Sequence, residues 1–339
     1  MKKIILKDKK ILIIGGAGFI GHNLALKLKK LQADVTIIDG LSVNNLYAVE
    51  QNKLKLPYPK LASTILNERQ SLLKNSKIPV LIEDARDYHK LSYLFNHIKP
   101  QIVIHLAAVS HANKSNKDPH STFDHSLRTL ENALDNSKGK VEHFIFLSSS
   151  MVYGNFKKQE VDEDELCEPI GIYGALKYSA EKIIKAYNQI FDLPYTILRP
   201  SALYGERCIS RRVGQIFIEN ALNNAEIRIQ GDGNEKLDFT YIEDLVSGIV
   251  SSIENQGSIN QIFNITYGKS RSINTLLDIL KKEFNNVRVS YEKRDKHMPI
   301  RGTLSISKAK KLIDYESKWP IETGYLEYIN WYKSFFKNI

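Results

Sequence analysis

An apolar run that passes directly into three spaced glycines constrains this chain more than any other feature. Residues 11–21 read I-L-I-I-G-G-A-G-F-I-G, with Gly15, Gly18 and Gly21 in the turn, and the apolar spacing of a helix follows. A buried strand that enters a helix this way forms a phosphate cradle, because the glycines permit a tight turn, close approach of a pyrophosphate and close helix–strand packing. The segment therefore predicts a dinucleotide-binding site.

An acidic residue follows at the distance that such a site requires. Asp39 ends a second apolar run, V-T-I-I-D, 18 residues beyond Gly21. A carboxylate there can accept hydrogen bonds from a ribose 2′-hydroxyl and would repel a 2′-phosphate. The sequence therefore favours NAD over NADP, against the alternative of a glycine-rich turn with an unrelated carboxylate.

The length and composition indicate a globular protein with a large core. The 339 residues are 42% hydrophobic, enough for one large domain or two coupled ones. Apolar stretches stay well short of the about 20 residues that a bilayer requires, and residues 1–6 do not form the apolar core of a signal peptide. We therefore expect a cytoplasmic protein without a membrane partner. Cys167 and Cys208 are too few for a disulfide framework or a zinc site, so we predict no metal.

The charge of the chain restricts its partners only loosely. A net charge of +10 fits nucleic acid, an anionic surface or a phosphorylated small molecule. Lysines are spread along the chain, and no basic run is interleaved with aromatic residues. Nucleic acid is therefore the weaker interpretation.

Six apolar runs alternate with amphipathic stretches in the first 200 residues; they lie at 11–14, 35–38, around 80, 102–106, 144–147 and 195–198. This pattern predicts a Rossmann-type, doubly wound parallel sheet over residues 1–200, an α/β fold whose ligands bind beyond the carboxyl ends of the strands. The regularity falls after residue 205, with helical patterns at 213–223, 243–253 and 272–284. We expect a smaller C-terminal substrate-binding lid over residues 201–339, interleaved with the first domain.

A long polar stretch at about 42–78 exceeds what one crossover between parallel strands needs. It includes an amphipathic segment at 61–74. We interpret it as an extra surface helix, with an oligomer contact or a flap over the adenosine end of the cofactor as the alternative. The closing W-Y-K-S-F-F at 331–336 predicts the apolar face of a last helix.

A serine, a tyrosine and a lysine form a candidate catalytic group. Tyr173 and Lys177 are four residues apart on a predicted helix, which places both on one face. A nearby ammonium group and the positive nicotinamide ring would both favour the phenolate form of the tyrosine and lower its pKa. Ser149 ends the fifth apolar run and can share a substrate oxygen with Tyr173. The alternative, a tyrosine–lysine pair on the surface, leaves the serines and the nucleotide cradle unexplained.

With these motifs the chain resembles the extended short-chain dehydrogenase/reductases, specifically the NAD-dependent nucleotide-sugar epimerase/dehydratase family. The resemblance covers almost the whole chain and rests on G-G-A-G-F-I-G, H-L-A-A at 105–108, S-S-S-M-V-Y-G at 148–154, the Tyr173/Lys177 pair, R-P-S-A-L-Y-G at 199–205, L-D-F-T-Y-I-E-D-L at 237–245, F-N-I-T at 263–266 and the closing W-Y. In such enzymes a tightly held NAD takes a hydride from the sugar, usually at C4, and returns it. The resemblance also implies a homodimer.

The motifs and the resemblance together give our predicted site. The catalytic residues are Ser149 as proton relay, Tyr173 as base and Lys177 as ribose anchor and electrostatic aid. The cofactor-binding residues are Gly15, Gly18, Phe19, Ile20, Gly21, Asp39, Asp84, Ala85, Leu106, Ala107, Ala108, Tyr173 and Lys177, of which the resemblance places Asp84 and Ala85 beside the adenine. The substrate-binding residues are Ser110, Ser149, Ser150, Met151, Ala202, Arg207, Arg212 and Arg301, and the substrate is a nucleotide-diphosphate sugar.

Departures from the family pattern reduce the number of reactions that the resemblance allows. Dehydratases of the family carry an aspartate and a glutamate where this chain has Ser150 and Met151, and decarboxylases have a glutamate at the position of Met151. The segment at 108–115 resembles dehydratases, although Val109 replaces their glutamate. By elimination we favour a 4-epimerase that acts through a transient 4-keto sugar. A dehydratase or decarboxylase with atypical acid and base, a 4-keto-sugar reductase and a non-catalytic NAD-binding protein stay open.

Other departures concern how the substrate is held. Ala202 and Leu237 stand where relatives often have an asparagine and a diphosphate-binding arginine, and Ser126 replaces an asparagine near the catalytic lysine. Guanidinium groups bind phosphate in a bidentate manner, so other arginines can compensate. The candidates are Arg207, Arg211, Arg212 and Arg301, against the alternative of solvated charges.

Overall fold

A computed structural model describes residues 3–42, 44–53, 56–109, 112–295 and 298–336, with the side chains of 112–114 excepted. Across these ranges no helix combines the length and the apolar character that crossing a membrane requires.

A seven-stranded parallel sheet forms the centre of the molecule. Its strands are β1 (Lys10–Ile14), β2 (Asp34–Ile38), β3 (Val80–Leu81), β4 (Ile102–His105), β5 (His143–Leu147), β6 (Tyr195–Arg199) and β7 (Gln261–Asn264). The spatial order is β7-β6-β5-β4-β1-β2-β3, and every neighbouring pair is parallel. The order reverses between β1 and β4, which is where ligands bind in open sheets of this kind.

The predicted doubly wound sheet is confirmed, with one strand more than the six apolar runs indicated. The additional strand, β7, lies in the second half of the chain and pairs with β6. Along β1, Ile11 and Ile13 pack into the core on one face and Leu12 and Ile14 into the core on the other. Helices cover both faces, so the strands read as continuous apolar runs rather than as alternating ones.

Thirteen α-helices lie within the described residues. Those before β6 are α1 (Phe19–Lys30), α2 (Leu46–Glu50), α3 (Pro59–Asn75), α4 (Tyr88–Ile98), α5 (Ala112–Lys117), α6 (Pro119–Phe123), α7 (Thr129–Ser137) and α8 (Gly171–Phe191), with a π-helical turn at Asp124–Arg128 and a 3₁₀ turn at Ser150–Tyr153. Those after β6 are α9 (Val213–Leu222), α10 (Ile242–Glu254), α11 (Ile273–Glu283), α12 (Ser307–Ile313) and α13 (Ile321–Phe336), with a 3₁₀ turn at Gln256–Ser258. The helices that we predicted at 213–223, 243–253, 272–284 and 331–336 are all present.

The second half of the chain adds short two-stranded sheets to these helices. The pairs are Leu203–Tyr204 with Thr240–Tyr241, Lys236–Leu237 with Arg271–Ser272, Ile227–Gln230 with Val289–Glu292, and Glu160–Val161 with Thr303–Leu304. Phe217, Tyr325 and Tyr328 of this half belong to the same apolar core as Ile11 and Ile13 of β1. The two halves therefore share one core.

The stretch at 42–78 forms α2 and α3, and α3 packs against α1. The apolar side of α3 is buried, and this side includes the charged residue Arg69, which is 2% exposed. Arg69 also lines the cleft described below. The segment is therefore part of a binding wall as well as an extra helix.

Candidate active site

The glycine turn brings main chain close to main chain at the end of β1. Gly15 has φ +81°, and a Cβ added there would lie 2.6 Å from the Ala107 nitrogen. A Cβ at Gly21 would lie 2.4 Å from the Gly16 Cα. Gly18 begins α1 without any side-chain cap, so the first N–H groups of the helix are free to bind an anion. These features fit the pyrophosphate of a dinucleotide.

A cleft opens at this turn, between the carboxyl ends of β1, β2 and β4. Eleven of the thirteen residues that we predicted to bind the cofactor line it: Gly15, Gly18, Phe19, Ile20, Gly21, Asp39, Asp84, Ala85, Leu106, Ala107 and Ala108. Tyr173 and Lys177 lie outside the lining. Ser42, Asn44 and Arg69, which the sequence did not single out, belong to it.

Asp39 is held rigidly at the edge of the cleft and is 8% exposed. Its Oδ2 accepts a hydrogen bond from the Ala17 N–H at 2.9 Å, and its Oδ1 accepts one from the Leu41 N–H at 2.8 Å. Burial raises the pKa of the carboxyl, and the two N–H groups oppose this. Each carboxylate oxygen keeps a further acceptor site, which suits ribose hydroxyls.

Asp84 also lines the cleft, and an arginine fixes its carboxylate. Arg86 Nη2 lies 2.6 Å from Asp84 Oδ2, while Nη1 of the same arginine lies 2.7 Å from Asp124 Oδ2. The hydrogen bonds from Arg86 lower the pKa of Asp84. This part of the cleft is therefore a preformed polar wall.

Tyr173 of α8 and Ser149, which follows β5, come together as predicted partners of one site. Ser149 precedes the 3₁₀ turn, and its Oγ accepts a hydrogen bond from the Met151 N–H at 3.2 Å. Burial raises the pKa of Tyr173, while the charge of Arg212 and a hydrogen bond with Ser149 lower it. The sequence pointed to Lys177 as the cation that favours the phenolate, whereas in the structure Arg212 has this effect.

Lys177 lies one helical turn beyond Tyr173, beneath the end of β5. Its Nζ donates a hydrogen bond to the Leu147 carbonyl at 2.7 Å and lies 4.6 Å from the centre of the Phe146 ring. Burial lowers the pKa of Lys177 to about 8, and the negative charge of Glu181 opposes that shift. Lys177 is therefore a buried ammonium whose charge depends on its surroundings.

A buried polar network holds together the elements that carry Ser149, Tyr173 and Lys177, and sequence reasoning missed it. Ser148 Oγ donates to Glu181 Oε1 at 2.5 Å, and the same carboxylate pairs with Arg199 at 2.7 Å. Arg199 Nη1 donates to the Tyr153 hydroxyl at 2.9 Å, which in turn donates to Asn264 Oδ1 at 2.7 Å. The network joins α8, β6, β7 and the turn after Ser149. The available signal was Glu181, four residues beyond Lys177 on the buried side of α8.

Arg212, which acts on Tyr173, and Arg301, on which Arg212 acts, form no ion pair with an acidic residue among the described residues. Arg212 lines the cleft, and its Nε is buried without a hydrogen-bond partner in the described parts of the chain. Burial, reinforced by the charges of Arg212 and Arg294, lowers the pKa of Arg301 to about 10, and only Glu235 opposes this. Arg294 already pairs with Glu235. Positive charge therefore exceeds negative charge here, and the site suits an anionic ligand.

Arg207 and Arg211 make other contacts. Arg207 donates to His22 Nε2 and to Asn23 Oδ1, each at 3.1 Å, so its side chain lies on α1 and does not line the cleft. Arg211 Nη1 lies 3.4 Å from Glu219 Oε2. The structure therefore does not bring the side chains of these two arginines to the candidate anion site.

The other predicted substrate residues lie in different environments. Ser150 and Met151 are buried in the 3₁₀ turn, 2% and 8% exposed. Ala202 has φ +37°, and its carbonyl accepts a hydrogen bond from the Thr240 N–H at 3.3 Å. Ser110 lies outside the described residues.

Comparisons with known proteins agree with this geometry. The model of the NAD dependent epimerase/dehydratase family matches residues 11–266. A putative UDP-glucose 4-epimerase of Methanocaldococcus jannaschii is 32% identical over 330 residues, which are 96% of this chain and 98% of that protein. The crystal structure of UDP-glucuronic acid 4-epimerase from Bacillus cereus, in complex with UDP-glucuronic acid and NAD, superposes with a TM-score of 0.84 at 29% identity, covering 96% of this chain and 99% of that one. The crystal structure of UDP-glucose 4-epimerase from Thermotoga maritima with UDP-glucose superposes with a TM-score of 0.81. The two sequences are 27% identical, and the match covers 96% of this chain and 99% of that one.

The fold and the site define a nucleotide-dependent enzyme built on a doubly wound sheet. The chain belongs to the NAD-dependent epimerase/dehydratase family. NAD is its cofactor, as the glycine turn and Asp39 predicted.

Proposed function

We propose that this protein is an NAD-dependent 4-epimerase of UDP-sugars. The observation that carries the proposal is the Ser149–Tyr173 pair, in which a hydrogen bond with Ser149 and the charge of Arg212 lower the pKa of Tyr173. Relatives that align over nearly the whole chain carry the names UDP-glucose 4-epimerase and UDP-glucuronate 4-epimerase. An epimerase needs one acid–base group and no second acid.

In this mechanism Tyr173 takes the proton of the sugar C4 hydroxyl and later returns it. NAD held by the glycine turn and Asp39 would supply the redox chemistry of the reaction. Ser149 holds the same oxygen and lowers the pKa of Tyr173 through its hydrogen bond. The charge of Arg212 favours the phenolate, and Lys177 adds a buried positive charge one helical turn away as the proposed ribose anchor. Reorientation of the 4-keto sugar before the hydride returns inverts C4.

The residues beside Ser149 favour epimerisation over elimination. Ser150 and Met151 occupy the turn beside Ser149. Methionine cannot transfer a proton, so dehydration and decarboxylation lack the acid that they need.

Arg212 and Arg301 are the proposed ligands of the substrate diphosphate. Neither forms an ion pair within the described ranges, and a diphosphate would oppose the burial and the charges of Arg212 and Arg294 that lower the pKa of Arg301. Arg212 would then act at two points, because it also lowers the pKa of Tyr173. Diphosphate binding and the acidity of the base are coupled in this arrangement.

The test is to incubate the purified protein, without added cofactor, with UDP-glucose, UDP-glucuronate and UDP-N-acetylglucosamine, and to follow the products by proton NMR. A C4 epimer of unchanged mass supports the proposal. Loss of water or carbon dioxide, or dependence on added NADH, would replace it with a lyase or a reductase. The Tyr173→Phe variant should lose about 10²–10⁴-fold in kcat. If that variant keeps full activity, Tyr173 is not the base.

We also propose that the protein acts as a homodimer through the outer face of α8. Ile172, Ile190 and Phe191 of this helix are exposed, at 37%, 71% and 42%, and Phe123 nearby in the fold is 56% exposed. Such an apolar face is typical of a contact between protein chains. Light scattering should give a dimer mass that Ile190→Glu reduces to a monomer. Ile5→Glu, at an exposed isoleucine outside α8, should leave the mass unchanged.

A further inference from the structure

A segment from the second half of the chain forms part of the cofactor cleft. Ile209, Ser210 and Arg212 line the cleft together with the glycine turn. The segment contains two arginines in left-handed backbone, Arg207 at φ +62° and Arg211 at φ +50°. Non-glycine residues adopt this conformation at a cost of about 1 kcal/mol each, so other contacts must hold the segment in place.

Arg69 of α3 provides the first of these contacts. Its Nε donates to the Arg207 carbonyl at 2.8 Å, and its Nη2 donates to the same oxygen. Its Nη1 donates to Asn44 Oδ1 at 3.0 Å, and both Asn44 and Arg69 line the cleft. One buried side chain thus connects the 207–212 segment with the loop that follows β2.

The Arg207 side chain provides the second contact, with α1. Its Nε donates to His22 Nε2 at 3.1 Å, and His22 Nδ1 lies 2.8 Å from the Gly18 carbonyl. These partners define a neutral imidazole that donates from Nδ1 and accepts at Nε2. Burial, together with the charge of Arg69, lowers the pKa of His22 well below its usual value. The segment is therefore tied to the glycine turn itself.

Arg69 keeps capacity for a ligand. A guanidinium has five N–H groups, and Arg69 uses three of them in the hydrogen bonds above. It forms no ion pair within the described ranges, although it is 2% exposed. Burial lowers its pKa to about 10 and the charge of Arg207 adds to this, whereas Cys208, Tyr328 and Asp39 oppose the shift. A buried cation without an acidic partner on a cleft wall is suited to an anionic group of the ligand.

We propose that Arg69 is a cofactor-binding residue that contacts the phosphate groups of NAD, and that Arg207 and His22 position the 207–212 segment across the bound cofactor. NAD then leaves only when these contacts open. The inference rests on the proposed function at one point: a reaction that returns its hydride to the sugar gains from keeping the same NAD through every turnover.

The experiment measures NAD retention without any sugar. Wild-type protein, Arg69→Met and Arg207→Met are purified in parallel, their NAD content is determined after denaturation, and the NAD dissociation rate is followed during dilution into an excess of an NAD-degrading enzyme. We expect Arg69→Met to lose most of its NAD and to release the rest at least about tenfold faster, equivalent to about 1.4 kcal/mol. Arg207→Met should release NAD faster by a smaller factor, because its main-chain carbonyl still binds Arg69.

Arg228→Met is the matched control, since Arg228 is an exposed arginine outside the cleft that pairs with Glu226 and Glu292. It should retain NAD as the wild type does. A wild-type release rate in both folded variants would overturn the proposal. If Arg69→Met does not fold, Arg207→Met decides alone, because its partly exposed side chain lies outside the core. A wild type that holds NAD tightly yet epimerises no UDP-sugar would refute the proposed function and leave this inference intact.

Discussion

Two walls of the active site hold their arginines in opposite ways. Behind the catalytic turn, Arg199 is enclosed by the Glu181 carboxylate at 2.7 Å and by the Tyr153 hydroxyl at 2.9 Å. On the other wall, Arg212 and Arg301 form no ion pair with an acid of the described residues. A buried charge that the protein neutralises serves the fold, and one that it leaves unpaired indicates a charged ligand.

The largest expected effect concerns the paired wall. Arg199→Met leaves Glu181 buried without its cation, so we expect a loss of about 3–5 kcal/mol in the free energy of unfolding. Urea denaturation followed by circular dichroism measures it. The double variant Arg199→Met/Glu181→Leu removes both charges and should recover most of the loss. A single variant as stable as the wild type would remove the distinction between the two walls.

The unpaired wall should respond in the opposite way. Arg301→Met removes a desolvated cation without exposing an unpaired acid, so stability should be unchanged or slightly higher. The KM for the UDP-sugar should rise about 10- to 100-fold, since a hydrogen bond to a charged group contributes about 1.5–3 kcal/mol. Steady-state kinetics and thermal denaturation of one preparation test both parts. A stability loss with an unchanged KM would make Arg301 a structural residue.

The glycine turn offers the same comparison between a residue needed for packing, Gly21, and a residue needed for cofactor binding, Gly18. Gly21→Ala puts a Cβ 2.4 Å from the Gly16 Cα and should cost about 1–3 kcal/mol of stability. Gly18→Ala meets nothing closer than the Gly15 carbonyl at 3.5 Å, so it should fold normally and lose NAD affinity. Thermal denaturation with and without NAD separates the two effects. Equal stability losses would mean that Gly18 serves packing rather than cofactor binding.

The smallest expected effect is a shift in the pH profile. Burial lowers the pKa of Lys177, the charge of Glu181 raises it, and the result is a pKa of about 8. Glu181→Gln should lower that pKa further, so Lys177 loses its charge at lower pH and the alkaline limb of kcat moves toward neutral pH. Glu219→Gln is the control, because this buried carboxylate pairs with Arg211, away from Lys177. An unmoved limb in the Glu181 variant would show that the charge of Lys177 does not limit the rate.

The sequence predicted the parts of the site that are local in the chain. The glycine turn, Asp39 and the Tyr173/Lys177 spacing each lie within one or two elements, so their periodicity and motifs are sufficient. The Gln261–Asn264 strand was not predicted, because four residues carry little periodicity and their position depends on pairing with β6, about 60 residues earlier. Local pattern therefore predicts main-chain sites well and non-local strand pairing poorly.

The contacts of long side chains were harder to predict from the sequence. Arg207 reads as a phosphate ligand, yet its side chain lies against His22 of α1. Arg69 was not singled out from the sequence, although it falls on the buried stripe of α3, four residues from Ile65 and Leu73. That spacing was the available signal. A guanidinium reaches several ångströms from its backbone, so its partners depend on segments that only the tertiary structure brings together.

The late position of β7 in the chain bears on how the protein is synthesised. The ribosome makes about 60 residues between the end of β6 and the start of β7, which takes about 3–12 seconds at typical translation rates. During that interval β6 is an unpaired edge, and Tyr153 has not met Asn264. Open apolar edges attract other chains. The nascent protein thus passes through an aggregation-prone stage at which chaperone binding would be most useful.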